Sequence, residues 1–142
     1  EIKARINMTV IANGDIDSPQ KAALVLDHTQ ADGLMIGRAA QGRPWIFREI
    51  NHYLATGRLL RSKPPVEIAA VIDSHLDKLY RFYGEVKGVW YARKHVASYV
   101  KSLPDSGQFL AEFHRCETPR QQRESLAAYF AMQTNATGAI AA

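Results

Sequence analysis

The chain has 142 residues, 46% of them hydrophobic and 23% charged, the balance of a globular protein with one domain or two small ones. No apolar stretch approaches the roughly 20 residues that cross a bilayer, and no basic, apolar, small-residue signal layout opens the chain, so no membrane attachment and a cytoplasmic location are expected. One cysteine, Cys116, excludes an internal disulfide framework and a multi-cysteine zinc site, and the five histidines show no ligand spacing, so no metal is expected. The net charge of +4 sits mostly in the second half: residues 1–60 carry seven cations and six acids, residues 61–142 eleven and eight. Position 1 is glutamate and the chain opens inside a pattern, as a piece of a longer protein would.

The first sixty residues alternate strand and helix. Met8-Thr9-Val10-Ile11-Ala12 is a β-branched run ended by Asn13-Gly14, and Asp17-Ser18-Pro19 supplies a helix N-cap with proline at the first helical position. That helix runs to about Gln30. A second strand, Gly33 to Gly37, precedes a helix opened by Pro44 and closed by Gly57, with Ile46, Phe47, Ile50, Tyr53 and Leu54 on one face. Trp45 and Phe47 are expected to pack this helix on the sheet. Both strands read as continuous apolar runs, which predicts a parallel sheet buried on both faces. Two β/α units cannot close a barrel, since a whole (β/α)8 barrel takes about 250 residues. Standing alone, Thr9 to Ala12 leaves an apolar sheet edge through which such a fragment could self-associate.

Arg58 to Pro65 is a basic, proline-ended linker, and no strand pattern returns after it. Val66 to Tyr83 is periodic, with Ile68, Val71, Ile72, His75, Leu76, Leu79 and Phe82 on one face, and Gly84 ends it. Here His75 reads as a hydrogen-bonded core histidine, and Tyr80, Phe82 and Tyr83 as core or interface residues. Further helices are expected from about Gly88 to Leu103, from Gln108 to Arg115, and from a Thr118-Pro119-Arg120-Gln121 capping box onward. From Gln133 the sequence loses its periodicity and is expected to be disordered. The organisation is therefore α/β followed by all-α: residues 1–60, a helical domain over 61–132, and a tail over 133–142.

Two loops carry the candidate chemistry. Ligands of parallel α/β folds sit at the carboxyl ends of strands, and barrels often hold phosphate on two consecutive late loops. Asn13-Gly14-Asp15 follows the first strand and Gly37-Arg38-Ala39-Ala40 the second. Gly37 permits close backbone approach to an anion, and Arg38 offers a planar cationic fork suited to phosphate oxygens. Asp15 would repel phosphate, so its place is a backbone contact, the orientation of Arg38, or helix capping. Taken singly, each loop reads equally as a turn with a solvated charge.

The stretches "VIANGDIDSP" (10–19) and "DGLMIGRAAQGRPWIFREI" (32–50) resemble the end of the barrel in bacterial tRNA-dihydrouridine synthases, most closely subtype B. The resemblance extends from about residue 5 to residue 130. It implies the last two β/α units of a (β/α)8 TIM barrel followed by a C-terminal helical-bundle domain, and an FMN phosphate held by Asn13, Gly14, Asp15, Gly37 and Arg38. It further implies reduction of a tRNA uridine to dihydrouridine, with NADPH as reductant of the flavin and a proton-donating cysteine on an earlier barrel loop. That loop would precede Glu1, so no catalytic residue is assigned; Cys116 does not match it. The complete enzyme is then expected to be monomeric, and the chain without its N-terminal barrel portion inactive.

"GVWYARKHVASYV" (88–100) is similar to the family's Arg-Lys-His helix, which holds tRNA. Between Val86 and Lys101 stand Lys87, Arg93, Lys94 and Lys101 with no acid, and Lys87, Lys94 and Lys101 recur every seven residues. With His95, Trp90 and Tyr91 nearby, the stripe suits RNA, although a solvated helix face has the same pattern. Two other functions stay open: a non-catalytic tRNA-binding module on a barrel remnant, and a different FMN barrel oxidoreductase.

Overall fold

A computed structural model describes residues 3–140. It is mostly helical, with two short parallel strands, and forms two compact units, Glu1–Arg61 and Ser62–Ala142.

In the first unit a 3-10 turn at Lys3–Arg5 is followed by β1 (Ile11–Asn13), α1 (Pro19–Thr29), β2 (Gly33–Met35), a second 3-10 turn at Arg38–Ala40, and α2 (Ile46–Thr56). Ser18 Oγ accepts from the Lys21 N–H at 3.3 Å and Pro19 opens α1, which satisfies the helix start as its sequence requires. β1 pairs with β2 in the register Ile11↔Gly33, Ala12↔Leu34, Asn13↔Met35. Asp32 lengthens this pairing: its N–H donates to Val10 O at 2.9 Å, and its carboxylate accepts from the Val10 N–H at 2.8 Å and pairs with Lys3 at 2.7 Å. The core is Ile16, Ala22, Ile46 and Ile50, with Val25, Leu34, Ile36, Ala39 and Ala40 packed against it.

The strands are not buried on both faces, contrary to the sequence expectation. Ile11 and Met35 are half exposed, because in a two-stranded sheet α1 and α2 cover one face only. Phe47 is also 48% exposed instead of packed; it lines an apolar groove with Leu26, Leu34, Ile36, Ile50 and Leu54.

In the second unit α3 (Pro65–Val100) is broken at Gly84, whose φ of 75° and ψ of 166° are not helical. Its arms, 65–83 and 85–100, fold back on each other. His75 lies 4.8 Å from His95, ring to ring, and Tyr83 lies 4.6 Å from Tyr91. A Cβ on Gly88 would stand 2.9 Å from Tyr80 Cδ1 and 3.0 Å from its Cα, so glycine permits the close approach of the arms. α4 (Ser106–Phe113) and α5 (Pro119–Ile140) complete the unit. Ile72, Leu76, Val89, Val96, Val100, Phe113 and Leu126 are buried, and Phe109 stacks on Tyr129 at 4.2 Å.

The Thr118 capping box forms reciprocally: Thr118 Oγ1 accepts from the Gln121 N–H at 3.2 Å, and Gln121 Oε1 accepts from the Thr118 N–H at 3.1 Å. Disorder from Gln133 is corrected, since α5 continues to Ile140. Gln133 Nε2 and Tyr129 Oη both donate to Pro104 O, which ties α5 to the α3–α4 connection; residues 141–142 lie outside the described residues.

Candidate functional site

Because β1 and β2 are parallel and in register, the loops that follow them leave the same end of the sheet. Each loop has a glycine on one side of its charged residue and core on the other. Asp15 lies between Gly14 and buried Ile16; Arg38 lies between Gly37 and Ala39, which packs on the core. The buried neighbours fix where the loops run, and the charged side chains project outward.

Arg38 Nη2 donates to Asp15 Oδ1, with the two side chains 83% and 73% exposed. Of the roles open to Asp15 in the sequence, the geometry records this pairing with Arg38. Asp15 itself has a left-handed backbone, φ 43°. Beside it, Asn13 Nδ2 donates to Met35 Sδ at 3.4 Å, which ties the end of β1 to the end of β2. A Cβ built on Gly14 or Gly37 would meet nothing within 4 Å. The donor set fits a phosphate group: an exposed guanidinium with several N–H groups, the Asn13 amide, and open space over two glycines through which an anion can reach the backbone.

In the second unit Lys87, Lys94 and Lys101 are exposed, while Val89, Ala92, Val96 and Val100 on the same arm are buried. The heptad spacing of the lysines holds them on the solvent face because the buried residues occupy the other. Arg93 is set apart from this stripe: its Nη2 donates to Cys116 O at 3.2 Å and its Nε is buried without a hydrogen-bond partner. It therefore holds the α4–α5 connection. His95 is partly buried beside His75, whose Nδ1 lies 3.3 Å from Tyr99 Oη. Burial, then His95 and Lys78, hold the His75 pKa below its usual value; the ring is partly buried against Tyr99 Oη and His95, not fully inside the core.

Phe82 and Tyr83 are not core residues. They are 80% and 43% exposed, because the helix breaks at Gly84 and they lie beyond its last buried turn, at Leu79. Tyr80 is the one that packs, its Oη donating to Gln122 Oε1 at 2.8 Å, and burial pushes its pKa up to about 12. Gln122, fully buried, also donates from Nε2 to Val89 O at 3.1 Å, a tie that no periodicity in the sequence announced. Burial raises the Cys116 thiol pKa, the opposite of what a reactive thiolate needs. Among the described residues no group of three potential ligands could hold a metal, and no helix is long and apolar enough to cross a membrane.

The parallel β/α unit with paired loops and the helical unit after it are the features of a chain that matches the dihydrouridine synthase (Dus) family model over residues 1–136; the chain belongs to that family. It is 50% identical over 141 residues to the tRNA-dihydrouridine synthase B of Pseudomonas aeruginosa, covering 99% of this chain and 42% of that protein. With its counterpart of the same name in Xanthomonas campestris pv. campestris the identity is 55% over 133 residues, 92% of this chain and 39% of that protein. The Proteus vulgaris tRNA-dihydrouridine synthase B is 51% identical over 129 residues, 91% and 40% of the two chains. The chain thus spans about two-fifths of the length of these curated relatives.

Proposed function

We propose that this chain is the C-terminal part of a tRNA-dihydrouridine synthase, in which the first unit supplies the last two β/α units of an FMN-binding barrel and a helical domain over residues 61–132 binds tRNA. The observation that carries the reading is the convergence of Asn13, Gly14, Asp15, Gly37 and Arg38 at one end of a parallel sheet, with open space over both glycines. Family membership and the names of the relatives support the substrate class.

In this reading Arg38 binds the FMN phosphate through its guanidinium, Asp15 orients Arg38, and Gly14 and Gly37 let backbone N–H groups approach the anion. When bound, the flavin supplies the hydride that reduces the uridine C5–C6 double bond, after its own reduction by NADPH. Lys87, Lys94 and Lys101 attract the tRNA backbone, and His95 lies on the same arm. Arg93 contributes by holding that arm against the α4–α5 connection. Cys116 does not serve as proton donor, so the 142 residues alone are inactive toward uridine. The complete enzyme works as a monomer in the cytoplasm, where its tRNA substrates are found.

The test is FMN titration of the protein carrying its N-terminal barrel portion, beside an Arg38→Ala version, followed by visible absorption. Loss or strong weakening of flavin binding in the variant is the expected result. Unchanged flavin affinity would remove Arg38 from the site, and a protein that takes up no flavin yet binds tRNA would make the first unit scaffold only.

A further inference from the structure

We propose that the elbow of α3 is a base-stacking platform for unpaired RNA nucleotides, continuous with the lysine stripe that holds their phosphates. The proposal deepens the reading of the second unit as an RNA-binding domain and rests on it. The break at Gly84 brings aromatic side chains from both arms to one place: Tyr83 lies 4.6 Å from Tyr91 and Phe82 4.7 Å from Tyr83, ring to ring. Trp90 and Val86 stand on the same turns of the second arm. All five are exposed, Phe82 at 80% and Trp90 at 61%. Such a cluster of aromatic surface on a protein exterior marks a contact face, and the neighbouring charge selects the partner.

From Val86 to Lys101 the second arm carries four cations and no acid. Three of these, Lys87, Lys94 and Lys101, are exposed, and Lys87 and Lys94 fall one helical turn from Trp90 and Tyr91. Aromatic faces interleaved with cations fit a single-stranded polyanion with flat, unstacked bases. At the tip itself stands Glu85, exposed and anionic, which disfavours phosphate there and leaves the rings for bases. The first arm adds no competing cation at this point, since Arg81 is paired with Asp77 at 2.9 Å.

The experiment measures the affinity of the whole chain for a labelled, unmodified tRNA transcript and for a fully paired RNA duplex of equal length, at fixed salt and across a salt series. Phe82→Ala and Trp90→Ala are compared with the triple change of Lys87, Lys94 and Lys101 to Gln, with folding checked by circular dichroism. Each aromatic variant is expected to weaken tRNA binding about tenfold and to leave duplex binding and the salt slope unchanged, while Phe82→Tyr and Trp90→Phe, which keep a ring at each position, retain most of the parent affinity. The lysine variant should weaken both RNAs and flatten the salt slope. Aromatic variants that bind tRNA like the parent while the lysine variant does not would overturn the platform and leave the RNA-binding reading standing. A parent chain with no tRNA affinity would overturn both. If the aromatic variants instead abolish self-association seen by light scattering and leave tRNA affinity untouched, the elbow is a contact between copies and the platform is wrong.

Discussion

Arg38 donates to the Asp15 carboxylate across two loops that leave the same end of a parallel sheet. Both side chains are largely exposed, so the pair contributes little to folding; exposed ion pairs are worth about 0–1 kcal/mol. Asp15→Asn is expected to change the urea midpoint by less than about 1 kcal/mol equivalent. In the protein with its barrel portion, the same change should weaken FMN binding less than Arg38→Ala does, because it frees a donor as it loosens the fork. Arg38→Lys should recover only part of the affinity, since a point charge replaces a planar, multidentate group. Equal flavin affinity in all three variants would contradict the assignment.

Glycines in the two units separate steric need from functional need. Gly88→Ala places a Cβ against the Tyr80 backbone and should destabilise the chain by about 1–3 kcal/mol in denaturant unfolding. Gly37→Ala meets open space, but its backbone, φ −98° and ψ −109°, lies between the α and β regions, so a backbone cost of about 1–3 kcal/mol is expected without any steric clash. Any effect on phosphate approach is read separately, in flavin titration of the protein with its barrel portion.

Gln122 joins both arms of α3 to α5 through Tyr80 Oη and Val89 O. Gln122→Leu leaves the half-buried Tyr80 hydroxyl without this partner and removes the tie to Val89 O, which keeps its place in the helix, and a loss of about 1–3 kcal/mol is expected. Tyr80→Phe in the same background should cost less than it does in the parent, because the partner is already gone. A double-mutant cycle in urea tests this; strict additivity would deny the coupling.

His75 makes stability depend on pH. Burial, then His95 and Lys78, depress its folded pKa, so the unfolded chain binds the proton more readily. The stabilising contribution is therefore present above the unfolded value of about 6.5 and is lost as pH falls through it toward the folded pKa. The thermal midpoint should decline between pH 7 and pH 5, and His75→Gln should decline less steeply. Parallel curves would show that the imidazole pair plays no part.

The two-stranded sheet exposes Ile11 and Met35. Sedimentation of the isolated chain should show concentration-dependent association that Ile11→Lys reduces, since a charge on an open strand opposes edge pairing. A monomer at every concentration would rule out the sheet edge as a contact.

Local chemistry made much of this molecule legible from its residues. Ser18-Pro19, the Thr118–Gln121 box, the glycine ends at Gly57 and Gly84, and the heptad of lysines act over one or two turns, and each appears where the residues require it. Both loops of the candidate site could be named for the same reason, because a strand ending in glycine beside a charged residue is a local pattern. What needed the tertiary structure lies across elements. The ion pair of Arg38 with Asp15 depends on the strand register, and the withdrawal of Arg93 from the lysine stripe on the approach of the α4–α5 connection. The exposure of Phe82 and Tyr83 and the half-open faces of β1 and β2 were likewise decided by what packs against each segment. Periodicity states that a face is apolar; only the neighbours that reach it determine whether it is buried.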